Sequence, residues 1–184
     1  MRHAWLSLIA LGVWNSAALS QDKPPVAATD DATPLQEAKP DVVPPSVRGV
    51  EDPRALVAQT YEAYRRNPDR PVPSPSFAYS DRLRALFDAY DAWQAGHQDL
   101  VGSLNFDWWM NAQDWAPVEP DLTEDQDGPD RRTVTARFSI YGTPVVNRFQ
   151  FVRQGGRWYL DDVVNGDGGA DGWVLSELLQ EREE

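Results

Sequence analysis

Apolar residues recur at helical spacing in two stretches of this chain and at alternate positions in a third, and the change of period divides it. Asp52-Pro53 opens the first helix, because an aspartate oxygen caps free amides and proline suits the first helical position. Leu56, Val57, Tyr61 and Tyr64 then share one face, and Asn67-Pro68 closes the helix. After an irregular proline-rich connection over residues 70–75, a second helix starts at Ser80. Leu83, Leu86, Phe87, Tyr90 and Gln94 keep the 3.6-residue period up to Gly96.

Beyond an irregular region that contains Phe106 to Trp115, the period drops to two. Val134, Ala136, Phe138 and Ile140 alternate with Thr133, Thr135, Arg137 and Ser139. A second run, Val145 to Arg153, places Val145, Phe149 and Phe151 on one face. Gly155-Gly156 supplies a tight reversal into a partner strand, Arg157 to Val164, with Trp158 and Leu160 on its buried face. A further strand is expected near Trp115 to Leu122, and a short helix over Trp173 to Glu181. Helices followed by an antiparallel meander make an α+β order. The helices are expected to lie across a curved sheet that closes over them as a cone, with pockets at its open mouth.

Two segments stand outside that pattern. Residues 1–20 combine Arg2, an apolar run from Ala4 to Trp14 and small residues at Ala18-Leu19-Ser20, which is the order of a Sec-type signal peptide. The run is shorter than the roughly 20 residues a spanning helix needs. There is no twin-arginine pair before it and no cysteine at the cleavage point, so the expectation is a periplasmic or secreted protein with no membrane anchor after cleavage. Residues 21–50 are rich in proline, alanine and alternating acids, with almost no large apolar side chain, and read as a disordered linker carrying both lysines, Lys23 and Lys39. Residues 51–184 remain as one domain of ordinary size.

Composition narrows the chemistry. The formal charge is −12, and removing Arg2 with the leader makes it one unit more negative. Such a chain lacks the basic stripe that collects phosphates, so nucleic acid is not an expected partner. With no cysteine, thiolate metal sites and cysteine nucleophiles are excluded. Only His97 would follow the leader, which excludes zinc or haem held by several imidazoles within one chain. No nucleophile elbow, phosphate-binding loop or dinucleotide fingerprint occurs, and no cofactor is expected.

The segment from Asn105 to Trp115 carries the densest chemistry: Asp107, Asp114, Asn111, Gln113 and the tryptophans at 108, 109 and 115. If Asp107 and Asp114 faced one pocket beside Tyr64, repulsion and apolar walls would raise one pKa and make an acid/base pair. Trp109 and its neighbours would then stack on a sugar or aromatic ligand, with Gln113 as a polar contact. Alternatively Asp107 caps a short helix, Gln113-Asp114 bonds to backbone at its end, and the tryptophans plug the core. His97 is expected at the exit of the second helix in a structural or surface role. The Asp/Gly-rich loops 125–130 and 165–172 hold oxygen ligands but depart from the EF-hand order.

Several of these features together resemble the DUF3828 domain, a family of exported bacterial proteins in the NTF2-like superfamily. The resemblance rests on Tyr61-x-x-Tyr64, the Ser80-x-x-Leu83 helix start, Asp107 followed by Ala112-Gln113-Asp114, the Val134 to Ile140 strand, and Gly156-Arg157-Trp158-Tyr159-Leu160-Asp161-Asp162-Val163. It spans most of residues 55–165. It implies a cone-shaped NTF2-like domain in the periplasm and does not imply an enzyme. The leading expectation is therefore a non-catalytic module that binds a small ligand or a protein. Two alternatives are a small lyase, isomerase or hydrolase using Asp107 or Asp114, and an inhibitor or envelope-assembly protein with an acidic binding surface.

Overall fold

The computed structural model describes residues 48–68, 70, 72–166 and 172–182. The expected signal segment, most of the linker and the centre of the 165–172 loop lie outside them. Helix α1 spans Pro53–Arg66, and the Asp52 carboxylate accepts the Ala55 amide at 3.0 Å, as the Asp-Pro start demands. Helix α2 spans Asp81–Gly96, where the Ser80 hydroxyl accepts the Leu83 amide at 3.0 Å. A short 3-10 turn over Ser76–Ala78 precedes it.

Five strands follow: β1 Asp121–Gln126, β2 Arg131–Ile140, β3 Thr143–Gln154, β4 Arg157–Asn165 and β5 Trp173–Val174. They form one antiparallel sheet in sequential order, each paired with its chain neighbour. The chain is therefore α+β. Helix α3, Leu175–Leu178, is one turn long.

Two expected elements shift. The strand placed near Trp115 to Leu122 begins at Asp121 instead, because pairing with β2 rather than apolar content defines it. Its sequence DLTEDQ is exposed at five of six positions. The helix expected from Trp173 is preceded by β5, since Val164 and Asn165 pair with Val174 and Trp173 before the backbone turns.

The core is aromatic where α1 meets the sheet. Tyr61 lies edge-on to Phe138 and Phe149, at ring-centre distances of 5.3 and 6.2 Å. Val57, Leu83, Val134, Ala136, Phe149 and Leu160 are fully buried beside it. The alternation of β4 breaks between Leu160 and Val163, where a bulge leaves Asp161 without a partner on β3. Trp158 and Leu160 are buried before the bulge, and Asp162, Val163 and Asn165 after it.

That bulge frees both carboxylates for other elements. Asp161 accepts the Ser80 hydroxyl at 2.6 Å, and Arg82 reaches Asp161 and Asp162 at 3.1 Å each. Asp162 also accepts the amide and hydroxyl of Ser176, at 3.0 and 2.5 Å. One acidic pair thus joins the starts of α2 and α3 to the sheet.

The outer edge of β4 is covered along its length. Val50 exchanges two backbone hydrogen bonds of 2.8 Å with Trp158, the Ser80 amide donates to Leu160, and β5 pairs with the far end. Arg48–Val50, the end of the expected linker, accordingly belongs to the folded region.

Candidate functional site

Asp107 starts a tight loop. Its Oδ1 accepts the amides of Trp109 and Met110 at 2.9 and 3.1 Å, while its backbone exchanges hydrogen bonds with Ala112. This arrangement is an aspartate turn closed by a two-residue bridge, so the short helix expected here does not form. Asn111 takes the left-handed conformation that closes the loop, with φ at 54°. Asparagine tolerates that region, and its Oδ1 accepts the Trp173 indole N–H at 2.8 Å.

The loop is nailed to the core by Trp109. Its ring stacks on Phe149 at 4.4 Å and on Trp108 at 5.1 Å, and Tyr61 meets it edge-on at 5.8 Å. Its carbonyl accepts both the Tyr61 hydroxyl at 2.9 Å and the Asn147 amide at 2.8 Å. Asn147 is fully buried on the inward face of β3 and accepts in turn from Asn165 at 2.7 Å. The interior between α1 and the sheet is therefore filled by Trp109, Tyr61 and Phe149. The tryptophan-plug reading holds for Trp109.

Asp107 faces a cleft beside that plug. Tyr64 donates its hydroxyl to Asp107 Oδ2 at 2.6 Å. Burial pushes the Asp107 carboxyl above the ordinary aspartate range, against the pull of Tyr64 and the two amides. Burial, followed by the Asp107 charge, pushes the Tyr64 phenol up as well, which keeps it a proton donor.

The cleft has a volume of about 330 Å³. Its aromatic wall is Tyr64, Phe87, Tyr90, Phe106, Trp108 and Trp109, and its carboxylates are Asp91 and Asp107. The structure thus brings together Tyr64, Asp107 and Trp109 of the sequence-derived candidates. Gln113 and Asp114 are exposed and do not line it, so the two aspartates form no acid/base pair there. Gln113 donates only a long bond, 3.4 Å, to the Asn105 carbonyl. The chain matches no family model, no curated protein and no solved structure.

Phe87, Tyr90 and Asp91 complete the cleft from α2. The sequence signals the two rings as members of an amphipathic face, which does not separate a core contact from a cleft wall. Asp91 follows Tyr90 directly and carries no motif. The Trp109 indole Nε1 and that of Trp115 are buried without an acceptor. An unmet buried donor costs about 1–3 kcal/mol.

Elsewhere the remaining candidates have structural places. His97 caps the end of α2, its Nδ1 2.8 Å from the Trp93 carbonyl and its ring stacked on Trp93 at 5.0 Å. Residues 125–130 run from the end of β1 through the reversal into β2. Among the described residues no group of three or more acidic or histidine side chains is placed to hold a metal ion. None of the described helices is long and apolar enough to cross a membrane.

Proposed function

We propose that this chain is an exported, non-catalytic binding domain of the NTF2-like, DUF3828 kind, and that the Tyr64–Asp107 cleft takes a small organic ligand. One observation carries the reading: an aromatic-walled cleft holds a hydrogen-bonded carboxylate on its border with a filled core. Pockets that are mostly apolar, with few placed polar groups, are the common form of small-molecule sites.

The way Asp107 is held favours a binder over a catalyst. Three donors already hold its carboxylate, and Asp114, the other half of the expected pair, lies off the cleft. General acid/base work needs a group within hydrogen-bond reach of substrate and free to exchange its proton.

Ligand-observed NMR against mixed cationic, neutral and anionic fragments tests the reading. Leu104, which lines the cleft, is replaced in Leu104→Trp to fill it, and Asp114→Asn serves as the off-cleft control. Hits should vanish in the first and persist in the second. Hits that survive in a folded Leu104→Trp variant place binding elsewhere, and fragment turnover abolished by Asp107→Asn would turn the chain into an enzyme.

A further inference from the structure

We infer that the ligand of this cleft is an organic cation, an amine or quaternary ammonium group; the inference rests on the cleft being the binding site. Six aromatic side chains and two carboxylates line it, and among the described residues no lysine, arginine or histidine does. An aromatic face carries negative charge density, so a cation is attracted to it, most strongly where water is excluded. Tyr64 and Trp109 are 1% exposed, Tyr90 and Trp108 are 7% exposed, and Trp109 is stacked against Phe149 and Trp108, so the rings open to a ligand are chiefly the part-exposed Phe87 and Phe106.

The carboxylates select the same sign of charge. Asp107 Oδ1 is taken by two amides, whereas Oδ2 accepts only Tyr64, which leaves it an acceptor site. Asp91 stands exposed at the rim. An anionic ligand would meet two like charges and no basic side chain among the lining residues. A neutral sugar would stack on the rings and donate to the carboxylates but would leave their charge uncompensated.

The protein already uses one of these rings for a cation. Arg182, which is not a lining residue, lies over the Tyr90 ring at 5.5 Å and over Trp93 at 5.4 Å. The formal charge of −12 adds a long-range field that raises the local concentration of cations. Low salt should therefore strengthen capture.

Calorimetric titration with choline and with its neutral carbon isostere, dimethylbutanol, tests the inference on the full chain. The two differ in charge and little in shape. Choline should bind roughly five- to thirtyfold more tightly, the range expected for a partly desolvated cation on aromatic rings. Phe106→Leu keeps an apolar wall but removes a ring, and should weaken choline several-fold while leaving dimethylbutanol nearly unchanged. Asp91→Asn, at an exposed position, should weaken choline alone and flatten its salt dependence.

Equal affinity for the two probes overturns the cation inference and leaves the small-ligand reading standing. Binding of neither probe, while other fragments still compete for the cleft, overturns the inference as well. Binding of no fragment at all removes both.

Discussion

At the scale of single residues, Asp107 holds the site. Its carboxylate is half-buried, bonds Tyr64 and two amides, and is pushed above its ordinary range chiefly by burial. A raised folded-state pKa means that the folded protein binds the proton more tightly than the unfolded chain. The associated stability is present below the ordinary aspartate pKa and is lost as pH rises through the folded value. Asparagine cannot ionise, yet its amide can still accept the Trp109 and Met110 N–H groups. Denaturant unfolding of the parent and of Asp107→Asn, compared at about pH 3 and about pH 7, should show the parent's advantage shrinking at the higher pH. A growing advantage would mean that the donors outweigh burial. The residue types at this site were legible in the sequence, because a run with three tryptophans and two aspartates is rare enough to notice. Their geometry was not, since the side-chain directions of Asp107 and Asp114 depend on a loop closed by Asn111, whose left-handed backbone leaves no periodic signal.

Among the elements, both long helices were legible from caps and apolar spacing, and three strands from alternation. What sequence pattern missed was set by partners. β1 has no apolar alternation and exists because β2 pairs with it. The bulge in β4 comes from an extra residue at Asp161, and it reverses the inward parity from Val163 onward. The two aspartates of that strand read in sequence only as part of a strand motif, yet they tie α2 and α3 to the sheet. Asp162 accepts from Val163, both donors of Ser176, and Arg82. Asp162→Ala should cost about 2–4 kcal/mol, because it leaves the buried Val163 and Ser176 amides and the Ser176 hydroxyl without their acceptor. Equilibrium unfolding measures it, and a loss below about half a kilocalorie would mean that water replaces the carboxylate.

Over the whole molecule, the two sheet edges differ. The edge of β4 is sealed by Val50, Ser80 and β5, whereas β1 carries Asp121, Glu124 and Asp125 exposed, a composition that discourages edge-to-edge association. Gly49 lets the sealing segment approach. Its φ is +56°, and a Cβ there would come within 2.7 Å of the Tyr159 ring. Gly49→Ala should therefore cost about 1–2 kcal/mol and speed amide exchange at Trp158; unchanged exchange would mean that Val50 does not hold that edge. The α+β class was readable from element order, but the start of the folded region was not, because a glycine and two flanking residues at the end of a polar stretch show no pattern until β4 is there to pair with.

The claim that the Tyr64–Asp107 cleft is a ligand site is tested most directly by amide and indole NMR spectra of the full chain during titration with choline and, separately, dimethylbutanol. Shifts should concentrate at Phe87–Asp91 and Leu104–Trp109, larger for choline, with the β1–β2 turn at 127–130 unmoved. Shifts centred on that acidic turn would contradict it, as would the absence of shifts within the cleft for both probes and for the fragment mixtures alike.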